Sequence, residues 1–293
     1  MPRMIGSGFT RRGIMAGATG FALVACSRHM PRKADLSGIE AATGGRLGFA
    51  RLDWGSGQMT GARLDERFAM CSTFKALLGG AVLLRAAQGQ RALDHPFDIR
   101  QDDLVFFSPV LEQRVGSRMS IAELAEATIQ TSDNTAVNIL LRDMGGPQGF
   151  TTILRGLGDE VTRLDRYEPM LNANEPGDPR DTSTPRAFAQ TLGRFLFGDI
   201  LQPADQAMLL AWMEGSSTGL ARLRAGIPEG WRAGDKTGTS TNNQSNDVAF
   251  AVPPGPGARP QILVSFLNIA EPMADGTNAL HARIARELLA GVD

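Results

Sequence analysis

The chain has 293 residues, 42% of them hydrophobic and 21% charged, which is ordinary globular material long enough for one large core or two lobes. Its 30 basic and 31 acidic residues leave a formal net charge of -1, and no basic run is present to hold phosphate, so no nucleic-acid partner is expected. The three histidines, His29, His95 and His281, lie far from one another and from any cysteine pair. No zinc-ligand spacing results, and neither a metal nor a cofactor is expected.

In chain order, Thr10-Arg11-Arg12 precedes a weakly apolar run from Gly13 to Ala25, too short to span a bilayer. The paired arginines resemble a twin-arginine export signal, and Leu23-Val24-Ala25-Cys26 resembles the lipobox of a bacterial lipoprotein. Residues 1–25 are therefore read as an export signal outside the fold, with Cys26 as a lipid anchor and the periplasm as destination. An ordinary cleaved leader, with Cys26 incidental, is the alternative. The compartment is oxidising in either case, yet Cys71 is left as a lone thiol.

"LSGIEAAT" suggests a first helix within Pro31 to Gly45, and "GRLGFARLDWGSGQ" alternates as a strand running into a turn at Gly55 to Gly57. Ser72 to Gln88 is apolar almost all round, at Phe74, Leu77, Leu78, Ala81, Val82 and Leu84, which predicts a central buried helix. Gly79-Gly80 within it would let another backbone come close. Ser120-Ile121-Ala122-Glu123 reads as a capping box opening a further helix. Helical patterns follow at Thr135 to Met144, Pro147 to Leu157, Thr184 to Phe197 and Pro203 to Glu214. Strands return at Arg232 to Gly238, Asp247 to Val252 and Gln261 to Asn268, before a last helix from Asn278 to Ala290.

Strands at both ends with helices between them predict an α+β fold. The terminal segments form one antiparallel sheet with flanking helices, an α/β lobe of about residues 31–66 and 215–293. An all-helical lobe of about residues 67–214 is inserted into it, within a single domain over 26–293. A small-ligand site is expected in the cleft between the lobes.

Three short motifs carry chemistry. Of the 30 basic residues only Lys33, Lys75 and Lys236 are lysines, and an amine can be tuned to act as a base where a guanidinium cannot. Lys75 stands one helical turn after Ser72, within reach of activating its hydroxyl. Cys71, four residues before Lys75, fits the same period, and Ser72 could also serve only as a helix cap. Ser132-Asp133-Asn134 is the second motif, at the end of the capped helix, and Lys236-Thr237-Gly238 the third, on a predicted strand.

Together and in this order the three resemble the motif set of class A β-lactamases and penicillin-binding proteins, and they select Ser72 over Cys71. "RLDRYEPMLNANEPGDPRDTS" adds a resemblance to the omega loop of the first group. The sequence thus resembles a class A serine β-lactamase over essentially the whole mature chain. The resemblance implies hydrolysis of penicillins and cephalosporins through an acyl-enzyme, and a monomer. Ser72 would be the nucleophile, with either Lys75 or Glu168 as the base that takes its proton; Ser132 would relay a proton to the departing nitrogen, and Glu168 with Asn172 would hold the hydrolytic water. The backbone N–H groups of Ser72 and Thr239 would form the oxyanion hole. Lys236, Thr237, Gly238 and Thr239 would form the substrate-binding strand, with Asn134 on the side-chain amide and Phe107 at the cleft mouth. Arg166 and Asp181 would close the loop with a salt bridge.

The sequence also departs from the pattern. Where many relatives carry a carboxylate-binding arginine after the Lys-Thr-Gly strand, Ser245 stands here, and Arg222 matches the arginine that replaces it in some branches. Where some carbapenem-hydrolysing relatives place a second cysteine to pair with the one before the nucleophile, this chain has Ser240. The alternative functions are a D-alanyl-D-alanine peptidase or transpeptidase, which lacks the Glu168–Asn172 pair, and a non-catalytic β-lactam sensor.

Overall fold

The computed structural model describes residues 44–175, 177–269 and 276–292, all within one compact unit spanning Ala34–Asp293. The segment 1–25 read as an export signal, Cys26 and nearly all of the helix expected over Pro31 to Gly45 lie outside the described residues.

Alternation in "RLGFARLD" gives β1 (Arg46–Asp53), which turns back into β2 (Met59–Ala62). A short β3 (Phe68–Ala69) and a 3₁₀ turn at Cys71–Thr73 lead into α1 (Phe74–Ala87). β4 (Pro96–Asp98) pairs with β5 (Arg118–Ser120), and α2 (Ile121–Gln130), α3 (Asn134–Asp143) and α4 (Gly146–Gly156) follow. β6 (Thr182–Ser183) pairs back to β3 ahead of α5 (Pro185–Phe197) and α6 (Pro203–Glu214). The chain closes with β7 (Arg232–Thr239), β8 (Gln244–Val252), β9 (Gln261–Asn268) and α7 (Asn278–Leu289).

Five strands form one antiparallel sheet in the order β2-β1-β9-β8-β7. Its inner strands are buried on both sides because helices cover both faces. On one face Leu47, Phe49, Ala249, Leu263 and Leu267 pack against Ile284 and Leu288 of α7. On the other, α5 lies across β1 and β9, and Phe68, Phe188 and Phe266 meet in a core that continues to α1. This is the expected α+β arrangement, with a sheet drawn from both ends of the chain.

Most predicted elements fall within a residue or two of those found, and the exceptions have physical reasons. The capping box is present: Glu123 N donates to Ser120 Oγ at 3.3 Å while Ser120 N donates to Glu123 Oε2 at 2.7 Å. β8 starts three residues before the predicted Asp247, because Gln244, Ser245 and Asn246 are polar yet buried and each has an internal partner. Ser72 is no helix cap; it sits inside the 3₁₀ turn, and the N-cap of α1 is Thr73 without a side-chain capping bond. Side chains, not another backbone, crowd the two glycines of α1. A Cβ on Gly79 would stand 2.5 Å from Ile129 Cδ1, and one on Gly80 2.5 Å from the Phe195 ring. Within this otherwise apolar helix, Lys75 is fully buried. A buried ammonium must be paired, and its partners lie in the site.

Candidate active site

Strand β7 lies directly against the turn that opens α1. A Cβ on Gly238 would approach Met70 O to 2.8 Å and Ser72 N to 3.0 Å, so only glycine permits this contact. Asn246 of β8 ties the same turn down by donating to Ala69 O and Met70 O at 2.8 and 3.1 Å. The result brings Ser72 of the turn beside Thr237 and Thr239 of the sheet edge, in one cavity.

The Ser-Asp-Asn segment enters from the opposite side. Asp133 caps α3 by accepting from Ala136 N at 2.9 Å, and its other oxygen accepts from Val110 N and Leu111 N at 3.0 Å, pinning the loop that carries Phe106 and Phe107. Ser132, at φ 63°, is turned back toward α1. Lys75 Nζ then donates to Ser132 O at 2.9 Å, Ser132 Oγ at 3.1 Å and Asn134 Oδ1 at 2.6 Å. It also forms a salt bridge with Glu168 Oε1 at 3.1 Å, and neither side chain is exposed. Burial draws the Lys75 amine below the usual lysine range, and the Glu168 carboxylate works against that shift. Asn134 has both ends committed, since its Nδ2 donates to Phe106 O at 2.9 Å.

Glu168 arrives on the 163–183 loop. Its Oε1 accepts from Ser72 Oγ at 3.3 Å and its Oε2 from Asn172 Nδ2 at 2.7 Å. The Arg166–Asp181 clamp is formed at 2.5 Å, and Asp181 Oδ1 also accepts from the backbone N–H groups of Asp165 and Arg166. Asp165 returns the bond by accepting from Asp181 N at 2.9 Å. Asn138 holds Glu168 itself, donating to its carbonyl at 2.9 Å and accepting from its N–H at 3.0 Å. Sequence reading passes over Asn138, although its place four residues after Asn134 puts it on the same side of α3.

Lys236 is fully buried behind the cavity wall and donates to Thr237 O at 2.8 Å. Burial first, and the Lys75 charge second, pull its amine down to about 7, against the opposing pull of Asp235 and Asp247. Thr237 Oγ1 donates to Thr218 Oγ1 at 2.7 Å, and both residues line the cavity. Ser72, Ser132, Asn172, Arg222, Thr237 and Thr239 share this cavity of about 620 Å³. Phe106 and Phe107 form its mouth, 81% and 51% exposed, and Phe106 is a further residue that the motifs do not flag.

A model of the Beta-lactamase enzyme family matches residues 31–292. Beta-lactamase CTX-M-8 of Citrobacter amalonaticus is 41% identical over 251 residues, which is 86% of either chain. Beta-lactamase L2 of Stenotrophomonas maltophilia is 45% identical over 233 residues, 80% of this chain and 77% of its own length. The solved structure of an ancestral (GNCA) class A β-lactamase superposes with a TM-score of 0.85 at 49% identity, covering 88% of this chain and 98% of that one. This chain belongs to the class A serine β-lactamases.

Its departures from the class A pattern can now be followed in the structure. Arg222 is no free surface arginine. Its Nη1 donates to Asn246 O at 2.7 Å and Gly238 O at 3.3 Å, its Nη2 to Thr239 Oγ1 at 2.9 Å, and its Nε to Asn278 Oδ1 at 3.0 Å. Ser245, in the position where many class A enzymes carry arginine, is buried and bonded to Thr277 and His281. Cys71 is in no disulfide; its thiol is buried, donates to Gln244 Oε1 at 3.4 Å, and is pushed up to about 12 by burial.

Proposed function

We propose that Ser72 is the nucleophile and Glu168 the deacylating base of a two-step hydrolysis of penicillins and cephalosporins, by which this class A β-lactamase confers antibiotic resistance. One observation carries the reading. Glu168 Oε1 is shared between Ser72 Oγ at 3.3 Å and Lys75 Nζ at 3.1 Å, in a buried site. Among the described residues, the buried Asn172 Oδ1 next to it has no hydrogen-bond partner, an acceptor suited to a water molecule that Glu168 could deprotonate.

In the first half, Ser72 Oγ attacks the β-lactam carbonyl and its proton leaves along the bond to Glu168. The C–N bond of the ring breaks, and the departing nitrogen takes a proton from Ser132 Oγ, replenished by Lys75 across 3.1 Å; Lys75 in turn recovers the Ser72 proton from Glu168 through their salt bridge, which leaves Glu168 a carboxylate again. The backbone N–H groups of Ser72 and Thr239 bind the oxyanion, a contribution of about 3–4 kcal/mol to the transition state per donor. Thr237, Thr239 and Arg222 receive the substrate carboxylate, with the charge of Lys236 attracting it from behind the cavity wall, while Phe107 and Asn134 border its side chain. In the second half, Glu168 takes a proton from water held with Asn172, the hydroxide attacks the ester, the C–O bond to Ser72 breaks, and Ser72 Oγ takes that proton back from Glu168. A peptidase or a sensor has no use for the Glu168–Asn172 pair, which argues for hydrolysis.

We further infer export to the periplasm and lipid anchoring at Cys26, on the strength of Arg11-Arg12 and "LVAC".

Glu168→Gln tests the assignment of the base. Removing a general base slows its step by about 10²–10⁴-fold; Ser72, Lys75 and Ser132 remain to carry acylation at a reduced rate, so the ester should accumulate. Intact-protein mass spectrometry should show one bound β-lactam per chain, on the peptide containing Ser72. Turnover at the parental rate with no adduct would overturn the assignment.

A further inference from the structure

Beneath the carboxylate side of the cleft, one face of β8 and β9 changes from apolar to polar. Ala249 and Leu263 pack under α7, whereas Ser245, Asp247 and Ser265 occupy the same face nearer the cleft, with Leu267 opposite Ser245. His281 of α7 lies against both serines and is fully buried. Its Nε2 is 3.1 Å from Ser245 Oγ and its Nδ1 2.9 Å from Ser265 Oγ. Thr277 Oγ1 donates to Ser245 Oγ at 2.7 Å.

These contacts form a continuous hydrogen-bonded chain from Thr277 to Ser265. Ser245 accepts from Thr277, and the neutral His281 ring donates to one of the two serines and accepts from the other. Burial and the nearby Arg222 charge hold the imidazole well below its usual range, so it is neutral and can play both roles. An aliphatic side chain would fill such a slot between sheet and helix without the cost of burying four polar groups. A hydrogen-bonded polar network of this kind instead fixes one geometry.

What it fixes is the first turn of α7. Thr277 precedes this helix and Asn278 begins it, and Asn278 Oδ1 accepts from Arg222 Nε at 3.0 Å. We propose that His281 is a positioning residue for Arg222: through Ser245 and Thr277 it sets where Asn278 stands, and so where the guanidinium meets the substrate carboxylate. The proposal rests on the reading that Arg222 receives that carboxylate.

The test compares a penicillin with its carboxyl methyl ester in the full chain carrying His281→Ala or Ser245→Ala; the latter removes one hydroxyl and little packing. Displacing a binding group by a fraction of an ångström costs less than the roughly 10²-fold attached to a 1 Å error, so KM for the free acid should rise about tenfold, with kcat within about twofold. The ester should be unaffected, and His281→Gln, which can still bond one serine, should recover part of the loss. In an Arg222→Ala background, neither substitution should change KM further. An unchanged KM in Ser245→Ala, an equal rise for acid and ester, or additivity with Arg222→Ala would overturn the proposal. An unchanged KM in Arg222→Ala alone would instead overturn the carboxylate reading on which it stands.

Discussion

Cys71 and Ser72 are neighbours whose environments assign them opposite fates. The thiol is buried, bonded to Gln244 and pushed up to about 12, so it holds almost no thiolate at neutral pH. The hydroxyl lines the cavity and is bonded to a carboxylate. Ser72→Ala should lower kcat by about 10⁶-fold, the scale of a lost nucleophile, while Cys71→Ala keeps most activity and loses about 1 kcal/mol of stability. Steady-state kinetics and urea unfolding check the pair, and the native thiol should resist a disulfide-exchange reagent until the chain unfolds. Lys236 makes a pH prediction. Its amine, pulled down to about 7, is charged below that pH and loses its charge above it, so attraction for a carboxylate weakens as pH rises through 7. The kcat/KM profile should fall on its alkaline side near that value, and Lys236→Arg, which keeps its charge, should remove the fall. For folding the sign reverses: between about 7 and 10.5 the unfolded chain holds this proton and the folded chain does not, so this group makes stability rise with pH there.

At the scale of elements, the 163–183 loop is held at two places with different tasks. The Asp165–Arg166–Asp181 knot closes its ends, whereas Asn138 grips the backbone of Glu168 from α3. Asn138→Ala would leave a buried N–H and a buried carbonyl unpaired, each costing about 1–3 kcal/mol. The expected result is a loss of roughly 2 kcal/mol or more in urea unfolding, with deacylation slowed more than acylation. Pre-steady-state kinetics would reveal this as a burst of acylation absent from the parent. Equal slowing of both steps would mean that Asn138 supports the whole site and not Glu168 in particular.

At the scale of the whole molecule, the site exists only where separate layers touch. Ser72 comes from the turn before α1, Ser132 from the link between α2 and α3, Glu168 from a loop, and Lys236 from the edge of the sheet. None of the seven described helices is long and apolar enough to cross a membrane, and the anchoring proposed above rests on Cys26. Cells producing the full chain should retain the enzyme in their membrane fraction, and Cys26→Ala should release it. One acyl chain binds only marginally, at about 10⁴ M⁻¹, so retention calls for the multiple chains of a lipoprotein. Unmodified protein found soluble in the periplasm would remove the anchor and leave export standing.

By itself the sequence determined the α+β class, the capping box at Ser120, the buried character of α1 and the residues that carry the motifs. These are local properties, legible as period, cap chemistry or short strings. It did not show that β8 begins at Gln244, because a polar run reads as loop until its partners are known. It left Ser72 as a candidate cap, and the close approach of Gly238 to Ser72 N shows instead a turn pressed against the sheet. It could not separate a surface Arg222 from one with all three guanidinium nitrogens bonded, nor reveal that Ser245 is bonded to His281. Burial and hydrogen-bond partners of such residues come from segments far away in the chain. Only tertiary structure decides them, since a polar side chain carries no local sign of what will satisfy it once water is gone.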